Sequence, residues 1–432
     1  MESVENSRTA METIFRRESA RLVSVLTRIF GPHNLDLAED VVQESFTRAV
    51  ERWTTEGLPE NPGGWLLATA RNRAIDVIRR ERTRRTFAGD LAMQLGSEWT
   101  VSATLREAFE PDALRDDQLR MIFMCCHEDL RPENRVTLIL KTLCGLSVPA
   151  IARALVTTES TINKRLYRTR RQVRDFSFGV PTGSELHESL ETVHTSLYLV
   201  FNEGYLSTGA EPIRRDLCRD AVAMTNLLAT SPGIASSATY ALLAVMSFHR
   251  ARQESRVDED GDLVPLDRQD RGLWDRAMIN AGFDYLNRAR RIDPVAKSRY
   301  HYEAAIAARH CSAPTFENTD WESICKLHDG LIEIQPTPVV ALSRAVAISF
   351  RDGPEAAIPV VDRLRTSGQL DHSHAVAAVL ANLYARAGSI EPALGFLEEA
   401  LAQATTSHER RLLELQIRRA REQAATRTPR PS

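Results

Sequence analysis

LDLAEDVVQESFTRAVERWTTEGLPENPGGWLLATARNRAIDVIRRERTRR, residues 35–85, is the stretch that decides the fold. Leu37, Val41, Phe46 and Val50 recur at helical spacings, while Asp36, Glu39, Asp40, Gln43 and Glu44 take the other face. Gly57, Pro59, Pro62, Gly63 and Gly64 break the pattern. It resumes near Trp65 with Leu66, Ala70, Ala74 and Ile78, and ends in Arg79, Arg80, Arg82, Arg84 and Arg85. An acidic helix followed by an Arg-tipped one implies two clients: a protein surface for the first and a phosphate backbone for the second.

The rest of the chain suits such a pair. Its 432 residues leave room for two or three domains. Ala, Leu, Arg and Glu are plentiful and β-branched or aromatic runs are few, so the expected fold class is all-α. No apolar run has bilayer length and the N-terminus lacks a signal-peptide layout, which implies a cytoplasmic protein with no membrane partner. Six scattered cysteines fit reduced thiols better than a disulfide framework. The net charge of −3 hides local clusters, because residues 1–180 hold 27 Lys+Arg against 25 Asp+Glu. Seven arginines fall between Arg71 and Arg85, and six basic residues with no acid fall between Lys164 and Arg174. A nucleic-acid surface is therefore local.

Before the opening stretch, Ile14, Phe15, Leu22, Val25, Leu26 and Ile29 make an amphipathic helix stopped at Gly31-Pro32. Residues 11–85 thus form a first small helical domain. Periodicity weakens over 86–117, where Asp90, Glu98, Glu107, Glu110, Asp112, Asp116 and Asp117 read as an acidic linker. Residues 118–178 form a second domain. Pro132 and Pro149 open helices, the polar run Thr157-Thr158-Glu159-Ser160 caps another, and Thr161 to Val173 is packed with Lys and Arg. A short helix, a tight turn and a basic helix make the helix-turn-helix pattern, with Ile162, Leu166 and Val173 inward and Asn163, Lys164, Tyr167, Arg168, Arg170 and Arg171 outward. Beyond a hinge at 181–185, residues 185–424 are helical. Segments 341–364 and 378–401 align, Ala345 with Ala381, Gly353 with Gly388 and Ala357 with Ala393, in the manner of a tetratricopeptide-like repeat.

The order D-x-A-E-D-V-V-Q-E-x-F, then P-x-x-W-L-x-x-x-A-R-N-R-A-I-D-x-x-R-R, resembles the core of sigma-70-family sigma factors, and more narrowly the group IV, or extracytoplasmic-function, factors. FNEGY at 201–205 and GDLVPLDRQDRGLWD at 261–275 resemble a subgroup with a tetratricopeptide-like extension. The resemblance implies a factor that directs RNA polymerase core to promoter DNA and assists melting; the size and acidic balance of the extension point to regulation by folding back on the DNA-binding domains, an intramolecular contact, or on polymerase. The resemblance also implies that Asp40, Gln43 and Glu44 dock on the clamp helices of the largest polymerase subunit. Trp65, Asn72, Arg73, Asp76, Arg79 and Arg80 are implied at the −10 element, beside a loop, Glu60 to Gly64, suited to a flipped base. The −35 element falls to the second helix of the helix-turn-helix, with Thr161, Lys164, Arg165 and Arg168 as candidates.

Blander readings hold elsewhere. Trp53 reads as core. Cys125-Cys126-His127 lacks a second ligand pair at zinc spacing, so packing is the expectation. Asp258, Asp260 and Asp262 around Gly261 lack the downstream Glu of a calcium loop. No catalytic triad, P-loop or dinucleotide motif occurs, so neither enzyme activity nor cofactor is expected. The rival reading is a helix-turn-helix regulator acting without polymerase.

Overall fold

The computed structural model describes residues 2–84, 107–155, 157–206, 213–368, 370, 374–404 and 406–427. Among them are eighteen α-helices, one antiparallel bridge and no strand. The chain divides into two compact units, one of residues 1–204 with 219–234 and the other of 205–218 with 235–432. No helix of the described residues is long and apolar enough to cross a membrane.

The first unit opens with α1 (Glu2–Phe30), α2 (Leu35–Glu56) and α3 (Pro62–Arg84). Leu22, Val25, Leu26 and Ile29 of α1, Ala38, Val41, Val42 and Ala49 of α2 and Leu66, Ala70 and Ala74 of α3 are buried, and the three helices pack on one another. Gly31 (φ 85°) ends α1, with its N–H on the Thr27 carbonyl at 2.8 Å, as a left-handed glycine at a helix end does. The buried stripe of α2 is rotated from the one predicted. Ala38, Val41, Val42, Ser45, Ala49 and Trp53 face inward, whereas Val50 is 46% exposed. Small residues mark the closest approach of helices, and a pattern read from large apolar side chains overlooks them. Phe46 instead stacks on Phe15 at 4.6 Å, and Trp53 joins the same aromatic group at 5.6 Å from Phe15.

Four helices follow: α4 (Pro111–Cys125), α5 (Pro132–Thr142), α6 (Val148–Ala154) and α7 (Glu159–Val173). Of the expected linker, 85–106 lies outside the described residues. Its far end is helix, since α4 starts at Pro111, seven residues before Gln118. Asp117, read as a linker acid, is fully buried. It accepts from Arg28 Nε at 2.8 Å and Arg120 Nη1 at 2.6 Å. Gly145 (φ 64°) ends the turn after α5, and a Cβ there would stand 3.0 Å from Ser19. The hinge predicted at 181–185 is shorter, because α8 (Gly183–Tyr205) begins inside it.

The second unit is a succession of helices that pack on sequence neighbours. These are α10 (Ser237–Ala251), α11 (Arg276–Ile292), α12 (Arg299–Ser312), α13 (Trp321–Ile334), α14 (Pro338–Arg351), α15 (Pro354–Thr366), α16 (His374–Arg386), α17 (Ile390–Gln403) and α18 (Ser407–Arg427). The remaining helix, α9, is Arg215–Ala229. Ala345, Ala357, Ala381 and Ala393 are buried, so the α14–α15 and α16–α17 hairpins close on small residues 36 positions apart. Gly353 (φ 98°) and Gly388 (φ 80°) stand at the matching turns.

Guanidinium groups hold this unit by backbone carbonyls, and those of Arg256 and Arg271 are buried. Arg271 Nη1 donates to the carbonyls of His310 and Ala313, each at 2.6 Å, Arg256 to that of Tyr205 at 2.8 Å, and Arg386 to that of Ser349 at 2.8 Å. Carbonyl ends of helices carry partial negative charge, which suits these cations. Burial pushes His249 and His310 down to about 3 and His328 to about 4, and the neighbouring arginines push the same way. The folded unit keeps these rings neutral, whereas the unfolded chain protonates them below about pH 6.5. Their stability contribution is therefore present above pH 6.5 and lost as pH falls from there toward 4 and 3. The slope is about 1.4 kcal/mol per pH unit for each ring. Calorimetry of the full chain is expected to show a level melting temperature from pH 8 to 7 and a steep fall from 6.5 to 5. His310→Asn is expected to make that fall shallower.

Candidate polymerase and promoter interface

On α2, Asp40 and Gln43 are exposed. Glu44, grouped with them on sequence, is tied down: its Oε2 accepts from Arg73 Nε at 2.5 Å and its Oε1 from Arg48 Nη2 at 3.2 Å. Arg73, expected at the −10 element, is thus half-buried against a residue expected at the polymerase. The acidic and Arg-tipped helices are joined by this pair.

The turn into α3 is built on Asn61. Its Oδ1 accepts the Gly64 N–H at 2.9 Å and its carbonyl accepts the Trp65 N–H at 3.1 Å. A Cβ at Gly64 would stand 2.7 Å from the Asn61 side-chain amide, so glycine leaves that amide room to hold the turn. Trp65 is half-buried, edge-on to Trp53 at 5.4 Å; Trp53 is core, as expected. Helical spacing places Trp65, Asn72, Asp76, Arg79 and Arg80 on one face, and all but Trp65 are exposed. The side chains of Arg82 and Arg84, and all of Arg85, lie outside the described residues.

The helix-turn-helix forms as its capping residues direct. Ser147 Oγ accepts the Ala150 N–H at 3.3 Å at the start of α6, with Pro149 in the first turn. Thr158 Oγ1 accepts the Thr161 N–H at 3.2 Å at the start of α7. Ile162, Leu166, Thr169 and Val173 are buried. Thr161, Lys164 and Arg168 are exposed on the opposite side, and Arg171 lies over the exposed Tyr167 ring at 6.0 Å. Arg165 differs from the other −35 candidates: its Nη1 donates to Thr137 Oγ1 at 3.2 Å and fastens α7 to α5. Arg170, read as outward, instead reaches Asp36 and Glu39 of α2. Thr158→Ala is expected to cost about 1 kcal/mol, the usual worth of a threonine cap, as a lower urea midpoint with unchanged slope.

Two motifs resolve as architecture. The Cys125 and Cys126 thiols are pushed up by burial, Cys126 to about 12, and His127 stacks on Phe176 at 3.9 Å. Asp258 Oδ1 accepts the N–H groups of Asp260 and Asp262, closing a turn at Gly261 (φ 81°) between the bridged Val257 and Leu263. Asp262 pairs with Arg411 at 3.3 Å.

Residues 14–84 match sigma-70 region 2 and residues 120–173 match sigma-70 region 4. The chain belongs to the sigma-70 family. Within it the likeness is to extracytoplasmic-function (ECF) factors, which direct RNA polymerase to promoters. Over 161 residues it is 29% identical to the probable ECF RNA polymerase sigma factor SigI of Mycobacterium tuberculosis. Over 165 residues it is 27% identical to the ECF RNA polymerase sigma factor SigE of Mycolicibacterium smegmatis. Those alignments take in 37% and 38% of this sigma factor, and 53% and 60% of the relatives. The uncharacterized protein R00370 of Rhizobium meliloti (strain 1021) is 35% identical over 404 residues, 91% of this chain and 92% of that one. Residues 189–290 match a family of unknown function, DUF6596, so the factor carries a further domain after region 4.

Proposed function

We propose that this sigma factor grips the clamp helices of the largest polymerase subunit through Asp40 and Gln43, with Glu44 holding Arg73 in place behind them. The shared face of α3, Trp65, Asn72, Asp76, Arg79 and Arg80, meets the −10 element. Thr161, Lys164 and Arg168 of α7 enter the major groove at −35, with Arg165 as their anchor to α5. The observation that carries this reading is the exposed basic side of a capped second helix, in one chain with the aromatic and arginine face of α3. The factor acts by binding, and the bond-making belongs to polymerase.

We assign the residues after 184 a regulatory part. Support comes from within the first unit, where Asp220 of α9 pairs with Arg16 of α1 at 2.6 Å and Thr230 accepts from Arg115 at 2.8 Å. The extension thereby touches region 2 at α1 and the start of α4, the helix that leads into region 4, and its later hairpins are in this reading tetratricopeptide-like. In-vitro transcription from a promoter library with core polymerase and the full chain tests the whole assignment. Enriched promoters are expected to share two elements at fixed spacing. Equal DNA selection without polymerase would favour the rival helix-turn-helix regulator.

A further inference from the structure

The acidic connector between α10 and α11 lies against a distant helix of its own unit. Residues 257–270 hold six acids and one arginine. Both ends of the connector are fixed. At the near end the buried Arg256 donates to the Tyr205 carbonyl at 2.8 Å, with its guanidinium 3.8 Å from the Tyr205 ring centroid. At the far end the His310 and Ala313 carbonyls hold the buried Arg271, and the buried Trp274 donates from Nε1 to Ser255 Oγ at 2.9 Å. Between these anchors the chain closes on itself as a small finger. Val257 bridges Leu263, the Asp258 N–H donates to the Asp262 carbonyl at 3.0 Å, and the Val264 N–H to the Arg256 carbonyl at 2.8 Å.

The finger rests on α18. Asp262 Oδ1 lies 3.3 Å from Arg411 Nε, and the two side chains are 32% and 48% exposed. An ion pair so open to water is worth little. The tip residues Asp258, Glu259 and Asp260 are exposed. The finger is thus firm at its root and lightly held at its contact, and it can leave α18 with its own hydrogen bonds intact. The face beneath it is the one that α18 does not use for packing. Leu413, Ile417 and Ala420 point into the α16–α17 hairpin. At about 100° per residue, Arg411, Leu415 and Arg418 fall within about 50° of the opposite side. Both arginines are exposed and Leu415 is half-buried. The whole helix carries six arginines against three glutamates, and Asp267 of the connector is close enough to attract Arg386 of α16. A cationic face with a leucine between its arginines fits a segment with apolar side chains between its acids, which Asp262-Leu263-Val264-Pro265-Leu266-Asp267 offers.

We propose that the Arg411, Leu415 and Arg418 face of α18 is a docking site for an extended acidic segment of a partner protein, and that the finger is the chain's own occupant of it, displaced when the partner binds. Self-occupancy lowers the apparent affinity of the site by the fraction of molecules whose finger is away. Docking there is independent of the regulatory part assigned to the extension, so binding to the full chain tests it without transcription.

The probe is a fluorescein-labelled peptide with the sequence of residues 257–269, titrated into the full chain and read by anisotropy. Saturable binding is expected. Asp262→Asn in the chain weakens the hold of the finger and is expected to tighten probe binding about threefold. Arg411→Gln with Arg418→Gln is expected to weaken it about tenfold or more, since hydrogen bonds to charged groups are lost. Arg411→Lys is expected to keep most of the binding, and circular dichroism checks the fold of each variant. Spin labels at Glu259→Cys in the tip and Glu414→Cys on α18, both exposed sites, follow the finger itself; the six native cysteines are buried, so labelling is selective. Saturating unlabelled peptide is expected to lengthen the distance between the labels. No saturable binding to the Asp262→Asn chain, binding indifferent to both arginines, or saturation with no change in the label distance would overturn the proposal. Displacement of the probe by a DNA duplex at lower concentration than by unlabelled peptide would overturn it too, and would give α18 a nucleic-acid partner instead.

Discussion

Asp40→Arg combined with Gln43→Ala is expected to abolish retention of core polymerase while leaving the circular dichroism spectrum of the chain unchanged. Both side chains are exposed, whereas the core of α2 is made by Ala38, Val41, Val42, Ala49 and Trp53. Neither residue is part of the buried core of α2. A central charged contact that is reversed loses its partner and gains a like charge, and such changes cost about 2–5 kcal/mol. At about 1.4 kcal/mol per factor of ten, that is roughly thirty- to several-thousand-fold in affinity. Glu44→Ala is the informative comparison. It releases Arg73 and Arg48, so its loss includes the positioning of α3 and is expected to reach open-complex formation as well as polymerase binding. Unchanged recovery of polymerase by the double variant in a pull-down would remove α2 from the docking surface.

Lys164→Ala with Arg168→Ala is expected to remove promoter-specific transcription while polymerase binding persists. The two lie four residues apart, one turn of helix, and both are exposed on α7. A contact that reads a base is worth about 1–3 kcal/mol and relaxes choice at one position; a phosphate contact weakens all sequences alike. Assaying each single variant against a promoter library separates the two roles, since only a base contact changes which sequence is enriched. Arg165→Ala is expected to behave differently. It gives up the hydrogen bond to Thr137 Oγ1, so it lowers the stability of region 4. Transcription from a mapped promoter that is unaffected by the Lys164 and Arg168 pair would take α7 out of the groove.

Much of this arrangement was legible in residue order. Caps and breakers are local, so Gly31, Pro132, Pro149 and Thr158 marked their helix ends on sequence alone. The recognition helix was legible because Ile162, Leu166 and Val173 repeat at helical spacing against a run of cations. What escaped were pairings across long separations. Glu39 meets Arg170 at a distance of 131 residues, Asp117 meets Arg28 at 89 and Glu44 meets Arg73 at 29. Nothing local distinguishes an acid that ends up buried under an arginine from one that faces water, so Asp117 read as linker and Arg170 as solvent-facing. The stripe of α2 was misplaced for a related reason: its closest contacts are alanine and serine, which carry little weight in a pattern of large apolar residues. Arg271, Arg256 and Arg386 were equally silent, because their acceptors are backbone carbonyls, which every sequence has.

The most direct measurement is permanganate probing of a library-selected promoter, with core polymerase and the full chain added together and separately. Unstacked thymines react, so the assay reads melting at the element assigned to α3. The expected result is reactive thymines in the −10 region only when chain and polymerase are both present, with protection at −35 in the same complex. Melting is expected to be lost with Asp40→Arg plus Gln43→Ala, and −35 protection with Lys164→Ala plus Arg168→Ala. A promoter that the chain protects to the same extent without polymerase, and that never becomes reactive with it, would contradict the assignment.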